Sequence, residues 1–180
     1  MAVRPIMKMG TPSLFEKSEP WPAAKFDSPE LHALLADMKD SMNAANGAGL
    51  AAPQIGENVR VVIFEVTEHP RYPNREPISF TVLINPQLTP SSDEKVMDWE
   101  GCLSVPGMRG QVARYPSLRY TGFDQFGNKI DRFVRGFHAR VVQHEVDHLD
   151  GVLYPMRMTD MTKFGYTEVL FPELVGVDDD

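Results

Sequence analysis

His144-Glu145-Val146-Asp147-His148 forms a metal-binding pattern on a predicted helix. Helical residues four positions apart lie nearly one above the other, so the imidazoles of His144 and His148 can hold one metal ion. Glu145 is offset by about 100° around the helix axis, so its carboxylate can flank the ion without ligating it. A carboxylate placed there can act as general base toward a metal-activated water. The pattern therefore predicts a metal-dependent hydrolase, although two histidines and a glutamate also occur together as ordinary helix residues.

The helix that carries this pattern has clear ends. Gly136 precedes a series of side chains with helical spacing, and Asp150-Gly151 follows it. A second helix is predicted to begin at Ser28-Pro29-Glu30, where a capping hydroxyl precedes a proline in the first turn and an early acid. Leucines and methionines recur at helical spacing after it, and Asn46-Gly47 is expected to end it.

The strands are predicted from segments rich in β-branched and aromatic residues. Asn85-Pro86 is expected to stop the second strand, residues 80–84. No strand–helix–strand alternation is present, so we predict an α+β fold with mostly antiparallel sheets packed around a central helix that carries the H-E-x-x-H pattern. The predicted strands are residues 59–66, 80–84, 112–113, 118–123 and 130–134.

Composition limits the class of protein. The 180 residues suit one catalytic domain, 1–180, that ends in an acidic tail at about 172–180. The net charge of −7 argues against direct, specific nucleic-acid binding. The sequence has no membrane-spanning apolar run and no secretory signal, so a soluble cytoplasmic protein is expected. Cys102 is the only cysteine, which excludes an intramolecular disulfide and suits a reducing compartment.

Two histidines leave the predicted metal site incomplete. A catalytic divalent ion needs a third protein ligand and an open position for water. Glu168 and Glu173 are available downstream, where a classical zinc protease takes this ligand. Cys102 is the alternative, in the segment Trp99-Glu100-Gly101-Cys102-Leu103-Ser104-Val105-Pro106, in which Glu100 could support a ligand through a hydrogen bond.

Three motifs of this sequence resemble those of the peptide deformylases. The motifs of that family are G-x-G-L-A-A-x-Q, E-G-C-L-S and Q-H-E-x-D-H-L. They match in full and in order, over about twenty positions, and residues 7–158 resemble the family's catalytic domain in layout. The matching stretches are Gly47-Ala48-Gly49-Leu50-Ala51-Ala52-Pro53-Gln54, Glu100-Gly101-Cys102-Leu103-Ser104 and Gln143-His144-Glu145-Val146-Asp147-His148-Leu149.

The resemblance implies an enzyme that removes the N-formyl group from the N-terminal methionine of new bacterial or organellar proteins and releases formate. It implies that Cys102, His144 and His148 ligate one divalent metal ion. The ion is expected to be Fe²⁺, with Ni²⁺, Co²⁺ or Zn²⁺ as alternatives. A metal-bound water would attack the formyl carbon, and Glu145 would first accept its proton and later protonate the leaving amine. The side-chain amide of Gln54 and the N–H of Leu103 would stabilise the oxyanion.

Substrate binding is expected beside the metal. The backbone of Ala48, Gly49 and Gly101 would pair with the formyl-methionyl peptide as an added strand. Phe137 and Val141 would form the pocket for the methionine side chain, although core packing explains both residues equally well. The Pro-rich loop at 68–77 is expected to border the cleft.

The resemblance implies nascent formylated peptides as partners and leaves a transient ribosome contact open. The acidic tail argues against docking through a basic C-terminal helix of the kind that some bacterial deformylases carry. Two other functions stay open: a metallopeptidase that cleaves ordinary peptide bonds, and a non-catalytic protein with a structural metal site. The first would use a downstream third ligand, and the second would use a fourth protein ligand.

Overall fold

Two antiparallel sheets and two long helices make up the part of the chain, residues 2–67 and 76–174, that this computed structural model describes. The larger sheet has the order β1-β2-β3-β6-β7, with β1 (Gly49–Ala51), β2 (Val61–Val66), β3 (Ile78–Pro90), β6 (Ser117–Phe123) and β7 (Lys129–Arg135). The smaller sheet has the order β4-β5-β8, with β4 (Val96–Cys102), β5 (Val105–Arg114) and β8 (Phe164–Tyr166). The α-helices are α1 (Pro29–Ala44), α2 (Gly136–Leu149) and the short α3 (Thr167–Leu170).

The predicted α+β class with antiparallel sheets is confirmed. Every pairing between these strands is antiparallel. α1 begins where the sequence predicts, because the Ser28 hydroxyl accepts a hydrogen bond from the Leu31 N–H at 3.2 Å. α2 begins at Gly136 and contains the whole segment from His144 to His148.

The larger sheet lies between the two long helices. Because alternate residues of a strand point to opposite faces, β2 contributes to two cores. Val61 and Ile63 pack in the core that α1 shares, whereas Val62 and Phe64 pack in the core that α2 shares. Burial of both faces explains why β2 reads as an unbroken apolar run rather than as an alternating pattern.

The prediction that Asn85-Pro86 stops the second strand is wrong. β3 continues through both residues to Pro90, with a register shift between Ile84 and Gln87. Asn85 adopts a left-handed φ of 51°, and its side-chain amide is held by both backbone groups of Trp21, at 2.8 and 3.0 Å. The residue therefore forms a bulge that bends the strand instead of ending it.

The first residues of the chain form an extended N-terminal strap, residues 2–9. The Arg4 N–H donates to a serine hydroxyl of α1 at 2.8 Å. Further along, the Met7 N–H donates to the carbonyl of Gln54 and the Met9 N–H to the carbonyl of Ser104, each at 2.7 Å. The strap thereby connects α1, the 3-10 turn that follows β1, and the turn between β4 and β5.

Two expected features fall outside the described residues. Most of the 68–77 loop, residues 68–75, lies there, so its place beside the cleft stays a prediction. The end of the acidic tail, residues 175–180, lies there as well. None of the helices formed by residues 2–67 and 76–174 combines the length and the apolar character that a membrane crossing requires.

Candidate metal centre

Cys102, His144 and His148 form the candidate metal centre. One potential ligand atom from each residue lies within 4.8 Å of those of the other two. Cys102 Sγ is 3.4 Å from His148 Nε2, and the two imidazole centroids are 5.1 Å apart. No other group of three histidine, cysteine or acidic side chains in residues 2–67 and 76–174 is arranged to share an ion. Glu168 and Glu173 are therefore not part of this cluster.

The Glu100 carboxylate fixes the orientation of one imidazole. Its Oε2 accepts a hydrogen bond from His144 Nδ1 at 2.9 Å, which leaves Nε2 of the same ring as the atom that can ligate. Arg114 donates to both oxygens of Glu100, from Nε at 2.8 Å and from Nη2 at 3.0 Å. Arg140 adds a hydrogen bond to Oε1 at 2.9 Å. The Glu100 carboxylate is therefore satisfied on both oxygens and rigidly held.

A second carboxylate extends this network along α2. Asp147 accepts a hydrogen bond from Arg114 Nη1 at 2.5 Å and two from Arg157, at 2.5 and 2.7 Å. The pKa of Glu100 lies well below its ordinary value. Burial alone would raise this pKa, but the hydrogen bonds from Arg114 and His144 outweigh the effect of burial. Both carboxylates are buried, and Arg114 connects them.

The electrostatics of the three clustered side chains suit a cation. Burial lowers the pKa of His144, but the adjacent Cys102 sulfur and Glu100 carboxylate outweigh burial and raise it well above its ordinary value. Burial and the charge of His144 hold the pKa of His148 well below its ordinary value, so this imidazole is neutral, the form that ligates metals. The field that favours a proton at His144 also favours a metal ion that replaces it. The residues present therefore fit a divalent ion with nitrogen and sulfur ligands.

Glu145 lies beside this cluster and is not one of the clustered ligands. Its side chain is buried, and Oε2 has no hydrogen-bond partner among the described residues. Burial raises its pKa to about 7, with the charge of His144 acting in the opposite direction. The Glu145 carboxylate rests against Gly49, where an added Cβ would lie only 2.4 Å from Oε1. Only glycine leaves room for the carboxylate at that point of β1.

Gln54 reaches the cluster from the 3-10 turn Ala52–Ile55. Its Oε1 accepts from the Ala51 N–H at 2.9 Å. Its Nε2 donates to the Ser104 hydroxyl at 3.0 Å and lies 3.7 Å from Cys102 Sγ. Gln54 is 2% exposed, and its hydrogen bonds hold the amide between β1 and the turn after β4.

A cavity of about 490 Å³ joins these groups. It lies between two strands at sheet edges, β1 with Gly49 and β4 with Gly101. Every site residue predicted from the sequence lines it except His148, which is 1% exposed and contacts Cys102. The lining includes Ala48, Gly49, Gln54, Gly101, Cys102, Leu103, Phe137, Val141, His144 and Glu145.

Sequence reasoning missed several supporting residues. Ser104, Arg114 and Asp147 are buried polar residues whose partners come from distant parts of the chain. Ser104 and Asp147 could have been found from the sequence, because each lies inside one of the three motifs. Nothing in the local sequence marks Arg114 or Arg157.

A hydrolase with a Cys–His–His metal site is the class that this fold and site define. Residues 3–164 match the family model of polypeptide deformylases, and the chain belongs to this family. It is an enzyme that removes the formyl group from protein N-termini in a metal-dependent reaction. The family match favours this activity over the two alternatives, a metallopeptidase and a non-catalytic metal protein.

Similar proteins support this assignment along nearly the whole chain. Peptide deformylase 1 of Nitrosomonas europaea is 59% identical over 177 residues, which cover 98% of this chain and 99% of that protein. Peptide deformylase 2 of Ralstonia nicotianae is 59% identical over 172 residues, 96% of each chain. A class I type b peptide deformylase from Acinetobacter baumannii, solved with Met-Ala-Ser bound, has a TM-score of 0.84 and 38% identity, covering 87% of this chain and 99% of that one.

Proposed function

We propose that Cys102, His144 and His148 hold one divalent metal ion and that Glu145, Gln54 and the Leu103 N–H carry out deformylation beside it. The single observation that supports this most directly is the grouping of three ligand atoms within 4.8 Å of one another, with Glu145 alongside. The bound ion supplies Lewis acidity, which makes water more acidic and a formyl carbon more electrophilic.

Glu145 is proposed to move the proton. Its pKa of about 7 is close to neutral pH, where a group can both accept and return a proton. Its Oε2, which none of the described residues contacts through a hydrogen bond, is available to accept a proton from water and later to deliver one to the leaving amine nitrogen. Burial of its side chain keeps bulk water away from this carboxylate.

Gln54 and Leu103 are proposed to stabilise the charge that develops on the formyl oxygen. Gln54 Nε2 lies beside Cys102 Sγ, and Leu103 follows Cys102 directly in the chain. Donors that are already aimed at the developing charge stabilise the transition state without further reorganisation. Both donors stand next to a proposed ligand, which is where the formyl oxygen must be bound.

The formyl-methionyl peptide is proposed to bind between β1 and β4. Both are edge strands of their sheets, so their outer backbone groups can pair with an added strand, and Gly49 and Gly101 lie at this gap. The Ala48 carbonyl accepts from the Glu65 N–H of β2 at 3.0 Å, which holds this residue against the larger sheet beside the gap. Phe137 and Val141 line the cavity from α2 and are proposed to contact the methionine side chain.

The native ion is proposed to be Fe²⁺, with Zn²⁺, Ni²⁺ or Co²⁺ as substitutes. One thiolate and two imidazoles bind all four ions, so the donor set favours none of them strongly. We further propose one catalytic domain spanning 1–180, a bacterial cytoplasmic location and nascent chains as substrates. A transient ribosome contact is also part of the proposal; the last α-helix among the described residues, α3, has four residues.

The test combines metal analysis with product detection. The protein is purified anaerobically, and formate and free methionine are measured with an N-formyl-Met tripeptide and with its unformylated counterpart. We expect one metal ion per chain, formate release from the formylated peptide, and no free methionine. Release of methionine would instead support a peptidase.

Two variants test the individual roles. Cys102→Ser should lose most of its metal, whereas Glu145→Gln should keep its metal and lose turnover. Full metal content and activity in Cys102→Ser would refute the proposed ligand set. Full activity in Glu145→Gln would refute the proposed general base.

A further inference from the structure

The contact between the Gln54 side chain and the Ala51 N–H determines which end of the amide carries the oxygen. Its Oε1 accepts from the Ala51 N–H at 2.9 Å. A backbone N–H can only donate, so the amide oxygen must occupy this end. The NH₂ end therefore faces Ser104 and Cys102, and the two ends of the amide cannot be exchanged without losing the Ala51 bond.

Ser104 receives one of the two amide hydrogens. Its Oγ lies 3.0 Å from Gln54 Nε2, and the residue is completely buried. The position of Ser104 is itself fixed on two sides: its N–H donates to Cys102 Sγ at 3.4 Å, and its carbonyl accepts from the Met9 N–H at 2.7 Å. The hydroxyl therefore offers Nε2 an acceptor at a fixed place.

The second amide hydrogen has only a long contact, to the Cys102 sulfur. The two hydrogens of an amide NH₂ lie in one plane and point in different directions. With one hydrogen on Ser104 Oγ, the other is directed to the side of Cys102 Sγ, which is 3.7 Å from Nε2. This is the side on which the candidate metal centre and the cavity lie.

We propose that Ser104 is a positioning residue for deformylation: its buried hydroxyl holds the Gln54 amide so that the second hydrogen points to the developing formyl oxyanion. This inference rests on the oxyanion role proposed for Gln54. It assigns to the serine of the E-G-C-L-S motif a part in catalysis that is exerted through Gln54 rather than by contact with the substrate.

The test is a double-mutant cycle on formate release, with kcat and KM measured separately. Gln54→Ala should lower kcat by about 10²–10³, as expected for the loss of one oxyanion donor. Ser104→Ala should lower kcat by about tenfold with little change in KM, because one hydrogen bond that restrains the donor is lost. The double variant should be no slower than Gln54→Ala, since Ser104 has nothing to orient once the amide is gone.

Ser18→Ala is the matched control. Ser18 is also a buried serine, and its hydroxyl has no hydrogen-bond partner among the described residues. The Ser18→Ala substitution should therefore leave kcat for formate release unchanged. A second measurement uses wild-type protein loaded with Zn²⁺ and does not depend on activity: by NMR, the side-chain amide proton of Gln54 that faces Ser104 Oγ should be strongly protected from exchange with solvent.

The outcomes separate this inference from the proposed function. If Gln54→Ala is slow but folded Ser104→Ala has wild-type kcat, the positioning role is wrong and the Gln54 role stands. If the two substitutions lower kcat independently, Ser104 does not act through Gln54. If Gln54→Ala itself is fully active, the proposed oxyanion donor is wrong. Should Ser104→Ala fail to fold, rapid solvent exchange of both Gln54 side-chain amide protons in the wild-type protein would still overturn the inference.

Discussion

Adding a single methyl group at Gly49 should disable Glu145 and leave the metal ligands in place. A Cβ added at Gly49 would lie 2.4 Å from Glu145 Oε1, 2.7 Å from Cδ and 2.9 Å from Cγ. Ordinary contacts of a Cβ begin at 3.4 Å, so in Gly49→Ala the carboxylate must retreat by about 1 Å. A displacement of about 1 Å in a catalytic group costs on the order of 10²-fold in rate. We therefore expect kcat for formate release to fall by about 10²-fold.

The informative comparison is between kcat and metal content. Gly49→Ala keeps the backbone groups proposed to pair with the peptide, so KM should change less than kcat. Metal content should equal that of the wild type, because the atoms nearest to the added methyl group all belong to Glu145. Gly165→Ala is the control, since its Cβ would meet Leu170 at an ordinary 3.4 Å, and it should be fully active. A folded Gly49→Ala protein with wild-type kcat, or one that loses its metal, would refute the reasoning.

Three further results are expected. Glu100→Gln should weaken metal affinity about 10- to 100-fold in a chelator competition, because the hydrogen bond that orients His144 is weakened. It should also lower the free energy of unfolding in urea by about 3–5 kcal/mol, because buried arginines lose their counter-charge. Unchanged metal affinity would exclude the orienting role of Glu100. Val141→Trp should raise KM for formyl-Met tripeptides by filling the cavity, and an unchanged KM would place the methionine pocket elsewhere. Because burial raises the pKa of Glu145 to about 7, the protonated carboxyl persists up to neutral pH. The protonated form cannot accept a proton from water, so kcat/KM should fall as pH drops below about 7. A value of kcat/KM that stays constant down to pH 5 would contradict the role of Glu145 as the base.

The parts of the molecule that the sequence predicted depend on local spacing. The limits of α1 and α2 follow from a capping serine, a proline and glycines next to residues with helical periodicity. The two histidines followed from their spacing, whereas Cys102 as third ligand was implied only by the resemblance to the peptide deformylases. The pairing of β4 with β5 and the packing of α2 bring the three side chains together. The motif residues are informative because each has a chemical requirement that few other residues meet.

The parts that were missed depend on partners far away in the chain. Asn85 bends β3 because Trp21, 64 residues earlier, binds its side chain, and no local pattern indicates that contact. β4 has an irregular burial pattern, because Glu100 turns inward to arginines contributed by β5 and α2. Buried charges of this kind become predictable only once their partners are known, since each of them alone would oppose burial.

The network of Glu100, Arg114 and Asp147 also bears on the rigidity of the candidate metal centre. These side chains fasten β4, β5 and α2 to one another through contacts between protein groups alone, directly beside the candidate ligands. The position of the His144 imidazole therefore depends on side chains from three separate elements. A mutation that loosens any one of these elements would reach this candidate ligand through the Glu100 carboxylate.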